Sequence, residues 1–226
     1  MMNQYKKLPF PLLYEDNHLL VVFKPANFLA QKDQTGDEDM LTVLKAWLKI
    51  KDQKPNNVYL GLVHRLDRMT SGVMVFAKTS KAASRLSEQI RNFQFEKKYL
   101  AIVEGIVNDS TKTLEDYLLK DEEKAKSKIT NDTNGKLSKL SFRVISYKKE
   151  MTLLDINLFT GRHHQIRVQL SHLGHPIVGD VLYGSKIKVP ICLVAYYISF
   201  FHPITKEKLA FTSFPKGGIW DQFPID

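Results

Sequence analysis

The apolar residues of this chain come in short runs, and that spacing constrains the fold more than any other feature. Leu19 to Phe23, Val73 to Ala77, Tyr99 to Val107, Leu140 to Tyr147, Thr152 to Phe159, Ile191 to Phe201 and Lys208 to Ser213 have the length and the β-branched or aromatic content of strands. Helical spacing is confined to three places. Leu41, Val43, Leu44, Trp47 and Leu48 predict a helix over Met40 to Ile50, ending before Pro55. Ala83, Leu86 and Ile90 predict a second, capped by Ser80 and running to about Asn92. A third opens after Thr160-Gly161, with Ile166, Leu170 and Leu173 on one face and Gly174 as its stop. Strands that follow one another without an intervening helix pair most simply as antiparallel neighbours. The expected fold is therefore α+β, with a mixed, largely antiparallel sheet flanked by helices and loops. The last two runs, joined through His202-Pro203, read as a hairpin. Asn108 to Lys139 reads as the least structured stretch, with a turn at Asn131 to Gly135. No linker interrupts the chain, so residues 1–226 are read as one domain.

Size and charge narrow the partners. A 226-residue chain that is 43% hydrophobic can bury a sizeable core. Lys and Arg number 33 against 24 Asp and Glu, a net charge of +9 that raises the local concentration of polyanions. The single cysteine, Cys192, cannot form an internal disulfide and reads as a small core residue. Met1 to Phe10 lacks the apolar stretch of a signal peptide. Val189 to Phe201, broken by Pro190 and Ser199, is well short of the roughly 20 residues that span a bilayer. The expectation is a cytoplasmic protein, monomeric, without a membrane partner.

Two clusters carry chemistry. In His64-Arg65-Leu66-Asp67-Arg68-Met69-Thr70-Ser71-Gly72 one carboxylate stands between two arginines, in a loop anchored by apolar segments on both sides. Neighbouring cations keep a carboxylate ionised, as a nucleophile must be. A solvated surface loop with ordinary ion pairs has the same composition. The second cluster, Gly161-Arg162-His163-His164-Gln165-Ile166-Arg167, opens the third helix, where unpaired backbone N–H groups and Arg162 can grip phosphate. Arg167 falls at the edge of the buried stripe, placed either to reach an internal carboxylate or to snorkel. His163 and His164 are expected to point apart on the helix. The seven histidines and one cysteine show no ligand spacing, so neither a metal nor a cofactor is expected. The residues by themselves stop at a basic protein of mixed helices and strands with one cation-flanked carboxylate.

A family resemblance goes further. His64-Arg65-Leu66-Asp67 with Thr70-Ser71-Gly72 and Val73 to Lys78 resembles the signature of the RluA family of RNA pseudouridine synthases. Tyr14-Glu15-Asp16 with Val21 to Ala26, Lys98-Tyr99-Leu100-Ala101, Gly161 to Arg167, and His175 to Asp180 with Tyr183-Gly184 resemble further motifs of that family, in order, over about residues 12–214. The resemblance implies a pseudouridine synthase catalytic domain that needs no cofactor and acts on ribosomal or transfer RNA. It implies Asp67 as the nucleophile, Arg167 as its partner, and Tyr99 against the target base. Arg65 would help fill the gap left by a flipped nucleotide, with Arg68, Arg162 and His164 as further RNA contacts. His163, Met69 and Val194 depart from residues common in the family, which bears on RNA contacts rather than on catalytic groups. The chain also begins almost at the catalytic domain, without the small S4-type RNA-binding domain of many members. The alternative from another class is an RNA-binding or RNA-folding protein on the same fold, with catalysis lost or secondary.

Overall fold

In the computed structural model, residues 5–121, 125–131 and 133–225 are described. They form eleven strands and three α-helices, in the α+β arrangement that the sequence leads one to expect. The chain divides into two compact units, residues 5–95 with 197–213, and residues 96–196 with 214–225.

The first unit holds β1 (Leu12–Glu15), β2 (Leu19–Lys24), α1 (Met40–Lys51), β3 (Gly61–Leu62), β4 (Ser71–Ala77) and α2 (Ser80–Arg91). Its strands run in the order β1-β2-β4, with β3 also on β4, and Leu19↔Ala77 to Lys24↔Gly72 pair antiparallel. β2 and β4 are almost wholly buried, which is why they read as continuous apolar runs rather than alternating ones. Leu19, Val21, Val73, Val75, Leu86, Ile198 and Phe200 make the core, with Phe95 stacked on Phe200. α1 is capped by Asp39, whose carboxylate accepts from the Thr42 amide and hydroxyl. For α2 the cap is Thr79, not Ser80: the Thr79 side chain accepts from the Ala82 amide, and Ser80 is the first helical residue.

The second unit holds β5 (Glu96–Glu104), β6 (Thr111–Asp121), β7 (Lys126–Ile129), β8 (Lys136–Lys148), β9 (Met151–Leu158) and α3 (Gln165–His172). Its strand order is β5-β9-β8-β6-β7, and each of these ladders is antiparallel. The last hairpin is as expected: β10 (Leu193–Phe201), whose residues are divided between the units, pairs antiparallel with β11 (Lys208–Thr212). Within the stretch expected to be least structured, β6 is instead regular strand, paired with β8 over eight residues. Its charges misled: they stand on exposed strand faces and are met across the ladder, as Lys139 is by Glu115 at 2.9 Å. Asp132, in the turn expected at Asn131 to Gly135, lies outside the described residues.

α3 also departs from its expected form. It begins at Gln165, three residues later than the glycine-arginine turn suggests, and Gln165 to Leu170 are all buried rather than showing one apolar stripe. Its end is as expected. Gly174, at φ 92°, follows the C-cap, and the amides of Gly174 and His175 close back on the carbonyls of Ser171 and Leu170. Cys192 is buried, and burial pushes its thiol up to about 12, as suits a core residue.

Candidate active site

Asp67 lies in the first unit, on the segment between β3 and β4. Both ends of that segment are fixed. Leu66 and Thr70 are buried, His64 Nε2 accepts from the Val75 amide at 3.1 Å, and the His64 ring packs on Phe95. Between those anchors the Thr70 amide closes a turn on the Asp67 carbonyl at 3.0 Å, and Asp67 itself is half-buried. A turn so held fixes the backbone that carries the carboxylate, and such positioning serves a nucleophile.

The residue that holds this turn from beneath is Lys24, the last of β2. Its side chain is fully buried, and Nζ donates to the carbonyls of Pro25 at 2.9 Å and Arg68 at 3.0 Å. Burial pulls its ammonium down to about 7, against the charge of Asp67, which favours the protonated form. Arg68 lowers it further, although the Arg68 head is turned outward to Asp37 at 2.7 Å and Asn27 at 3.1 Å. Arg65 is exposed. Lys24 was missed as a functional residue because Lys24-Pro25 reads as the polar boundary of a strand. The one available signal is a lysine continuing a buried apolar run.

Arg167, Tyr99, Arg162 and His164 belong to the second unit. Arg167 is buried, and its Nε and Nη2 each donate at 2.7 Å to one oxygen of Asp180, itself 2% exposed. The guanidinium lies over the Tyr183 ring, 5.0 Å from its centre. Of the two placements that the sequence leaves open for Arg167, the inward one is observed, and Asp180, thirteen residues on, is one carboxylate it meets. Tyr99 pairs with Ile156, and the ladders carry its face on through Phe142. Alternation puts Leu140 and Ser138 on that face, with Asp116 opposite Ser138. Gln169 of α3 reaches Asp116 Oδ2 and the Ser138 carbonyl. Tyr99 and α3, with Arg167, thus belong to one face of this sheet.

The approach to α3 is a polar turn rather than helix. Gln165 Oε1 accepts from the Arg162 amide and the Thr160 hydroxyl, while Arg162, exposed, donates Nε to the Leu137 carbonyl. His164 caps α3 in a left-handed conformation, φ 54°. His163 and His164 do not point apart; both precede the helix, His164 as its left-handed cap, and their rings stack at 3.8 Å. His164 Nδ1 meets the Tyr183 hydroxyl at 3.0 Å, and burial together with Arg167 depresses its imidazole to about 3. Any contact it makes with RNA is that of a neutral ring. Ser127 of β7 completes the set. Its amide donates to the Tyr183 hydroxyl and its hydroxyl to the His163 carbonyl, both at 2.7 Å. Ser127, Tyr183 and Asp180 were not identified from sequence as parts of this assembly, since only tertiary packing joins them. Among the described residues no group of three His, Cys, Asp or Glu side chains is gathered as for a metal. No helix among them is long and apolar enough to cross a membrane.

A family model described as RNA pseudouridylate synthase matches residues 18–172. The ribosomal large subunit pseudouridine synthase C of Buchnera aphidicola subsp. Baizongia pistaciae is 38% identical over 213 residues, which cover 89% of this chain and 66% of the relative. The ribosomal large subunit pseudouridine synthase D of Xylella fastidiosa strain Temecula1 is 36% identical over 184 residues, 81% of this chain and 54% of the relative. The chain thus spans about two-thirds or less of the length of these curated relatives. Among solved structures, human RNA pseudouridylate synthase domain containing 4 shares the fold, with a TM-score of 0.76, 24% identity, and 90% and 87% of the two chains covered. The chain belongs to the RNA pseudouridylate synthase family, within which its motifs are those of the RluA type.

Proposed function

We propose that this protein isomerises uridine to pseudouridine in RNA, with Asp67 as the nucleophile and ribosomal RNA as the substrate class. The observation that carries the proposal is the fixed turn of Asp67, locked at His64 and Thr70 and tied by buried Lys24. Family membership supplies the reaction, and the names of the two relatives favour ribosomal over transfer RNA.

A stacked uracil is out of reach, so the target nucleotide is extruded at a cost of a few kcal/mol, with Arg65 helping to fill the gap. The Asp67 carboxylate attacks C6 of the ring or C1′ of the ribose. The N1–C1′ bond breaks, the base turns, a C5–C1′ bond forms, and the bond to Asp67 breaks to free the carboxylate. The C5 proton is then lost and N1 ends protonated, so the reaction consumes no co-reactant. Tyr99 lies against the base and assists removal of the C5 proton. Arg167, held by Asp180 through Nε and Nη2, has the role of keeping the nucleophile charged and oriented. Arg68, Arg162 and neutral His164 contact the strand.

The test is a map of pseudouridine in ribosomal and transfer RNA from cells with the protein, without it, and with Asp67→Asn. Sites that vanish on deletion and return only with Asp67 are the expected result. In vitro, Asp67→Asn is expected to form no product while binding RNA within a few-fold of wild type. Turnover by that variant would refute the nucleophile. RNA binding by wild-type protein, with no product from any RNA, would favour the reading as a binding protein.

A further inference from the structure

Lys97 is the second residue of β5, two before Tyr99, so alternation places both on the sheet face that carries α3. It is partly buried, and burial alone holds its ammonium below the ordinary lysine value; no carboxylate offsets it. Among the described residues it makes no hydrogen bond or ion pair. An ammonium withdrawn from water without a counter-charge costs stability, and a fold with nothing to gain from it has neutral alternatives of similar length.

The residue beside it sharpens the point. Gly161 does not have a positive φ, so its backbone conformation is open to any L-residue. Packing does not demand glycine either. A Cβ built there meets one heavy atom within 4 Å, Lys97 Nζ at 3.4 Å, an ordinary contact. Gly161 is exposed, so what its missing side chain leaves open is a path from solvent to that ammonium.

We propose that Lys97 and Gly161 form a phosphate-binding position for the RNA strand, with the glycine clearing the approach by which a phosphodiester oxygen reaches the Lys97 ammonium. This rests on RNA being the substrate, and it assigns one phosphate contact on the face that carries Tyr99. The bound phosphate supplies the counter-charge that the protein does not.

The experiment uses the full chain, a labelled transcript of large-subunit ribosomal RNA, and the variants Lys97→Met and Gly161→Val. Binding is measured across a salt series, and urea unfolding beside it. Lys97→Met is expected to weaken binding about tenfold at low salt. Its plot of log K against log salt should be shallower by about 0.7–0.9, the contribution of one phosphate. Its unfolding midpoint should be unchanged or raised, since an unpaired ammonium has gone. Gly161→Val, with Lys97 intact, is expected to lose affinity similarly, and the double variant to lose little more than either. Wild-type affinity and slope in Lys97→Met would overturn the proposal, as would a drop in stability with affinity unchanged. Wild-type protein that binds the transcript without isomerising it would fail the proposed reaction while leaving the Lys97 comparison decisive. Wild-type protein that binds no RNA would overturn both.

Discussion

Lys24 and Arg167 are both cations withdrawn from water, and they are compensated in opposite ways. Lys24 ends on two backbone carbonyls, Arg167 on a carboxylate that is itself buried. Removing Arg167 therefore leaves Asp180 charged and without its bidentate partner, a loss of about 3–5 kcal/mol for a buried pair. Arg167→Ala is expected to lower the urea unfolding midpoint accordingly, and Asp180→Asn in that background to recover much of the loss. Neither variant is expected to form product, so recovered stability with absent turnover would separate the two roles. A wild-type midpoint in Arg167→Ala would refute the pairing as a structural element. Arg167 was legible in sequence because an arginine beside Ile166 sits at the edge of a helix face. Its partner Asp180 was not, because it arrives only after the chain has turned at Gly174 and passed through Gly179.

At the scale of elements, β2, β4, α1 and α2 were legible because local pattern and tertiary environment agree. Each apolar run was buried, and each helix ended near its polar signal. β6 and the first four residues of β8 were not, since their exposed faces carry lysines and acids whose compensation lies across the ladder rather than along the chain. The turns that frame the candidate site show the same division. Gly174 and Gly179 both have positive φ, but a Cβ on Gly174 meets nothing within 4 Å, whereas on Gly179 it comes within 2.6 Å of the Val189 carbonyl. Gly174→Ala is expected to cost only the left-handed penalty of about 1–2 kcal/mol. Gly179→Ala adds a backbone clash just before Asp180, so its loss is expected to exceed that of Gly174→Ala clearly in denaturation measurements, and to reduce turnover as well. Equal losses at the two positions would show that the Val189–Pro190 segment yields, and that Asp180 is not held through it.

For the molecule as a whole, the titrating groups combine into an unusual dependence on pH. His164 is depressed from 6.5 to about 3, so below pH 6.5 the unfolded chain takes up a proton that the folded one refuses, and stability falls as acid is added. Lys24, depressed from 10.5 to about 7, acts in the same direction at higher pH: its contribution is complete above 10.5 and lost as pH falls toward 7. Glu15, lowered by Lys51 and Lys78 despite its burial, and Asp16, lowered by the His18 and Leu19 amides, lose their contributions at the acid end. The net charge of +9 adds self-repulsion that relaxes as pH rises. Opposing these, Cys192 is raised from 9 to about 12, so its contribution is complete below pH 9 and lost above it. Stability is therefore expected to climb from pH 4 to about pH 9, beyond the range of about 5 to 8 common for proteins. Urea midpoints at intervals of one pH unit from 4 to 10 measure this directly. The same series on Lys24→Met assigns its upper part: the rise between pH 7 and 9 should flatten in the variant, while the fall below pH 6.5 is retained. A wild-type maximum at neutral pH, or an unaltered rise in Lys24→Met, would show that the buried lysine keeps its proton across this range. The Asp67 turn would then be tied by a permanent cation rather than by one that titrates near neutrality.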